Sequence, residues 1–175
     1  MLKHGEHFEH NLQSLRIVTE LEERYAEFNG LNLTFETLEG ILKHCSLVKA
    51  QELGVLGERF IKNERPSLEA QLANIADELA YNFHDLDDGL RANLLTLEQL
   101  EEVEIIKEQL SIVLRKYPTL NGRRLHKELV RHLINVTIYQ LIENTELNLK
   151  KYQPDSAEEV RLAPAIGQYR DEDFA

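Results

Sequence analysis

Leu68, Leu72, Ile75, Leu79, Phe83, Leu86 and Leu90 recur at steps of three and four along one uninterrupted stretch. That spacing puts them on a single helical face and does not fit the alternation of a strand. Ser67, after Pro66, is placed to cap the start, and Gly89 lies near the end. Gly and Pro number only 8 and 4 in 175 residues, so long elements with few turns are expected. Together these features predict an all-α chain.

Similar stripes fill most of the remaining sequence. Leu12, Leu15, Val18, Leu21, Tyr25 and Phe28 predict an amphipathic helix over 8–28, ended by Asn29-Gly30. Thr34 opens a second helix with Leu38, Ile41 and Leu42 turned inward. Residues 46–65 are mixed in polarity and predict a short helix and a loop. Thr96 begins a short helical turn, and Ile105 to Tyr117 form a helix stopped by Pro118. After the turn Leu120-Asn121-Gly122, residues 123–150 predict a long helix carrying Leu125, Leu129, Leu133, Val136, Tyr139 and Leu141. Asp155 or Ser156 caps a last short helix. There is no internal repeat, so one domain over 1–163 is expected, with a mobile tail over 164–175.

Charge narrows the partners. The formal net charge is −11, which argues against a general nucleic-acid coat or an anionic membrane surface. No apolar run approaches the roughly 18 residues that a membrane-spanning helix needs. The lone cysteine, Cys45, excludes an internal disulfide and suits a reducing cytoplasm, and it reads as a structural thiol. Residues 98–104 and 155–159 are acidic. Residues 123–132 are basic, with Arg123, Arg124, His126, Lys127, Arg131 and His132, which read first as a solvated helix face.

Three stretches carry candidate chemistry. His7-Phe8-Glu9-His10-Asn11 could serve a metal or a proton transfer, or form a polar first turn. Asp77, Tyr81 and Asp85 fall at i, i+4 and i+8. They line one helix face over roughly 12 Å, a carboxylate at each end and a phenol between. Ala73, Ala76 and Ala80 border Asp77 and suggest a close helix contact there. Lys43-His44 could reach a phosphate, or could simply offset a helix C-terminus.

Phe8-Glu9-His10-Asn11-Leu12-Gln13-Ser14-Leu15-Arg16 resembles the "FEHNxQxLR" stretch of the bacterial dGTPase-like deoxynucleoside triphosphate triphosphohydrolases of the HD superfamily. Residues 31–44 resemble the family's next segment. Ile75-Ala76-Asp77-Glu78-Leu79-Ala80-Tyr81 and His84-Asp85-Leu86-Asp87-Asp88-Gly89 resemble its "IADDIAY…HDIDDGLR" motif, and Gly122-Arg123-Arg124-Leu125 and Pro154-Asp155-Ser156 also fit. The similarity covers about residues 6–164, in order.

The resemblance implies an all-α HD-type bundle that cuts a dNTP to a deoxynucleoside and triphosphate with a divalent metal such as Mg, Mn or Fe. It implies Asp77 as a metal ligand, His10 as a catalytic aid and Tyr81 as the deoxyribose platform. Asp85 would hold the 3′-hydroxyl and Lys43 would contact phosphate. The family pattern also needs an upstream His and a His-Asp dyad. The chain's single His-Asp pair, His84-Asp85, matches the sugar-binding end of the motif instead. The expectation is a bundle incomplete at its N-terminal side, the C-terminal portion of such an enzyme and inactive alone. Apolar surface left by the missing helices would favour a homo-oligomer. The second reading is a catalytically dead nucleotide-binding or regulatory module.

Overall fold

A computed structural model of the chain describes residues 9–167. All regular structure among them is helical. In order these are α1 (His10–Arg16), a π-helical stretch (Ile17–Leu21), α2 (Phe35–Ile41), α3 (Leu47–Glu52), a 3-10 turn (Gly54–Gly57) and α4 (Glu58–Lys62). Then come α5 (Leu68–Arg91), α6 (Leu97–Leu100), α7 (Glu104–Lys116), α8 (Gly122–Tyr152) and α9 (Ala157–Leu162). The all-α expectation therefore holds. The contacts fall into two compact units. One is the chain up to Gln71 with Pro154–Ile166; the other contains Leu72–Gln153.

In the first unit, the helix predicted over 8–28 ends at Leu21. The Thr19 hydroxyl donates to the Leu15 carbonyl at 2.8 Å, and the Glu22 amide reaches back five residues to Ile17. The widened turn is followed by a fold-back: Gly30 N–H donates to Glu22 at 2.7 Å, and Leu31 N–H to Val18 at 2.8 Å. Gly30 has φ +75°, and a Cβ there would lie 2.3 Å from the Thr19 carbonyl oxygen, so only glycine fits. Tyr25 and Phe28, read from the sequence as buried-face residues, are exposed and pack on each other with ring centroids 4.9 Å apart. Residues 46–65 hold more helix than expected. The Ser46 hydroxyl caps α3, and Asn63 ends α4 in the left-handed region at φ 56°.

The core of this unit centres on Leu42, Ala50 and Ile166, each 0% exposed. Beside it lies a buried ionic cluster. Glu39 Oε1 accepts from Arg161 at 2.7 Å and sits 3.7 Å from Arg59 Nε. The Arg59 guanidinium also donates to the Leu42 and Glu39 carbonyls at the end of α2. Burial pulls Arg59 below its ordinary pKa, and Glu39 opposes that. The Glu39 hydrogen bond raises Arg161. Arg161 has the shorter and better-formed bridge, so its pairing with Glu39 is the stronger of the two. The segment expected to be mobile from Pro164 is packed as far as Ile166, whose amide donates to Gln71 Oε1 at 3.0 Å.

In the second unit, α5, α7 and α8 enclose Leu110, Val113, Leu125, Leu129 and Leu133, with Phe83 and Leu86 of the predicted stripe against them. Leu90, Leu100 and Val130 form a companion cluster. A full capping box starts α6: Thr96 accepts from the Gln99 amide, and Gln99 reaches back to the Thr96 amide. Ser67, at the first unit's end of α5, accepts from the Ala70 amide as its sequence position predicts.

Candidate functional site

The candidate residues occupy both units. In the first, His10 opens α1 and is exposed. Asn11 is buried and donates from Nδ2 to the His44 carbonyl at 3.2 Å. That bond holds the segment after α2 against α1. It brings the His10 and His44 rings edge to face, with centroids 5.9 Å apart at 73°. Both rings, with Glu9, Asn11, Cys45 and Ser46, line a cleft of about 380 Å³. His7 lies outside the described residues. Lys43, half-buried, immediately follows the α2 C-cap that Arg59 secures.

Two imidazoles at one cleft can relay protons or face an anion. The neighbouring thiol does not add a nucleophile: burial, and then Glu9, push the Cys45 pKa up, which keeps it protonated. Sequence reasoning paired His10 with His7. The structure pairs it with His44, and the signal for that was only that His44 adjoins Lys43.

In the second unit, Asp77, Tyr81 and Asp85 lie on one exposed face of α5, and Tyr81 is 67% exposed. Ala73, Ala76 and Ala80 are also exposed, so the close helix contact that they suggested around Asp77 is not made there. The carboxylates and the phenol are thus exposed rather than buried. His84 and Asp87, half a turn or so away, line a separate groove with Lys127 and Arg131.

A metal fits these residues poorly. Among the described residues no three His, Cys, Asp or Glu side chains converge in a way that could hold an ion. Asp77 brings one carboxylate, and hard divalent cations need several oxygen ligands. Among the described residues, no helix is long and apolar enough to cross a membrane.

No protein-family model matches the chain. Individual relatives do. It is 57% identical over 169 residues to a deoxyguanosinetriphosphate triphosphohydrolase-like protein of Thiobacillus denitrificans, covering 97% of this chain and 45% of the relative. It is 57% identical over 162 residues to a protein of the same name from Bordetella pertussis, covering 93% and 42% respectively. A third, from Azoarcus, is 52% identical over 162 residues, covering 93% and 43%. The chain thus spans less than half the length of the curated relatives it matches. Over nearly all of its own length, the chain is homologous to part of the deoxyguanosinetriphosphate triphosphohydrolase-like proteins.

Proposed function

We propose that this chain forms part of the nucleotide-binding wall of a metal-dependent dNTP triphosphohydrolase. The observation that carries this reading is the 57% identity over 97% of the chain to a deoxyguanosinetriphosphate triphosphohydrolase-like protein. The exposed carboxylate–phenol–carboxylate face of α5 supports it. Tyr81 would offer its ring to the deoxyribose, and Asp85 would accept from the 3′-hydroxyl. Lys43 would balance phosphate charge and His10 would move a proton near the leaving group. The resemblance would make Asp77 one ligand of a divalent ion, although among the described residues no further His, Cys, Asp or Glu set converges with it.

With a single carboxylate for that ion, the isolated chain binds without turning over. Purified 175-residue protein incubated with dGTP and Mn²⁺ is expected to release no triphosphate, while dGTP raises its unfolding temperature. Triphosphate release that tracks the pure protein would sink the inactivity. Absence of any thermal shift would sink the binding role. The exposed Leu47, Val48, Val55 and Ile61 of the first unit favour self-association, expected as a dimer or larger species in light scattering. A strict monomer at high concentration would refute that.

A further inference from the structure

A helix end needs partners for its last carbonyls, which a glycine turn or water commonly supplies. The end of α2 has more than that. Leu42 has φ −80° and ψ 77°, and the Lys43 amide donates back to the Ile41 carbonyl at 3.0 Å, so Leu42 is the centre of an inverse γ-turn. Its side chain is completely buried. The turn stops α2 abruptly and sends Lys43, His44 and Cys45 out as non-helical chain. Side chains of two other elements then take hold of that chain. Arg59 of α4 donates to the Leu42 carbonyl, and to the Glu39 carbonyl before it at 3.4 Å. Asn11 of α1 donates from Nδ2 to the His44 carbonyl at 3.2 Å. The carbonyls on either side of Lys43 are both fixed.

The two donors are buried, Asn11 at 7% and Arg59 at 6% exposure. The Arg59 guanidinium is a rigid fork, and it is braced in place. Glu39 Oε1 lies 3.7 Å from its Nε, and the Phe60 ring centroid lies 3.9 Å from its Cζ. Glu39 is held in turn by Arg161 of α9 at 2.7 Å. Asn11 follows His10 on α1, so its bond ties the residue after Lys43 to the helix that carries His10. The edge-to-face contact of the His10 and His44 rings goes with that tie. A lysine ammonium rides on a flexible four-carbon stem. What a fold can fix is where the stem begins, and these bonds fix it.

We propose that Asn11 and Arg59 are positioning residues: by clamping the Leu42 and His44 carbonyls they set the place from which Lys43 meets the phosphates of a nucleotide. This rests on the phosphate-contacting role given to Lys43 above. It gives the asparagine of the Phe8–Arg16 stretch a task separate from that of His10. It also makes the docking of α9, through Arg161 and Glu39, part of the same support.

The test titrates dGTP by calorimetry into the 175-residue chain and its variants. Asn11→Leu keeps a similar volume and removes the donor. It is expected to weaken dGTP binding about 10-fold, the scale seen when a group that orients a ligand-contacting side chain is lost. Lys43→Ala should weaken binding by a similar factor. In the Lys43→Ala background, Asn11→Leu should add less than about 2-fold, because the clamp then has nothing to position. A residue that only stabilised the unit would add its full loss in both backgrounds. Asn11→Asp, alike in shape but without a donor, serves if the leucine variant loses its helical circular dichroism. Contact between the His10 and His44 rings, followed as a nuclear Overhauser effect with labelled histidines, should weaken in either Asn11 variant. Full dGTP affinity in Asn11→Leu, additive losses in the double variant, or an undiminished ring contact would overturn the proposal. Absence of dGTP binding by the unaltered chain would overturn the nucleotide reading, and the clamp's role with it. The ring contact is read without ligand, so the two failures are told apart.

Discussion

Arg59→Ala is expected to destabilise the first unit by about 3–5 kcal/mol, the usual cost of removing one partner from a buried ion pair. Arg59 is 6% exposed and Glu39 is 2% exposed, so neither is rescued by water. The loss has two sources. Glu39 keeps Arg161 but loses its second cation, and the Leu42 and Glu39 carbonyls lose their donor at the end of α2. Arg59→Lys should restore little, because an ammonium cannot reproduce a fork that spans two carbonyls and a carboxylate. Arg161→Ala should cost less, because its side chain is 18% exposed and solvent screens it in part. Urea unfolding followed by circular dichroism measures all three. A loss below about 1 kcal/mol for Arg59→Ala would mean that the cluster does not hold α2 in place.

Gly57→Ala should be nearly as damaging for a different reason. A Cβ at Gly57 would sit 1.8 Å from the Ala50 carbonyl oxygen and 2.6 Å from its carbon, all backbone. Backbone cannot swing aside as a side-chain end does, so α3 and the 3-10 turn must part. About 3 kcal/mol is expected, the top of the range for overpacking. Gly54→Ala, three residues earlier, is the control. It has φ +57° but nothing within 4 Å of its Cβ, so it bears only the left-handed penalty of about 1–2 kcal/mol. Equal losses in the two variants would show that the contact with Ala50 relaxes freely.

What the sequence revealed was what is local. The α5 stripe, the Ser67 and Thr96 caps and the stop before Pro118 each depend on residues a few positions apart, and each appears in the structure. The fold-back over 22–31 was not legible, because the bonds from Gly30 to Glu22 and from Leu31 to Val18 compete with helix continuation and leave the 3.6-residue pattern of Tyr25 and Phe28 intact. Nothing in the local spacing of Glu39 and Arg59 marks them as buried. Their burial depends on Arg161, 122 positions away from Glu39, and no window of sequence contains that pairing. For the candidate site, spacing alone put Asp77, Tyr81 and Asp85 on one helix face, and that face is exposed. The roles given to them, and to His10 and Lys43, came from the resemblance, since spacing carries position and not chemistry. The basic run over 123–132 gave its residues but not the groove that Lys127 and Arg131 line, because His84 and Asp87 approach from another element.

The return of Pro154–Ile166 to the first unit has a consequence for how the chain is made. Arg65 bonds to Arg161, Glu39 to Arg161 and Gln71 to Ile166, so this unit is closed by residues made well after the rest of it. A ribosome-bound chain that has emerged only as far as α8 holds Glu39 and Arg59 without Arg161, and Leu42 without Ile166. Such distant closures slow folding, because loop entropy is lost before the contacts repay it. Glu39, Leu42 and Arg59 therefore wait for α9 and Ile166, and until these dock that apolar and charged interior is open to chaperones and proteases.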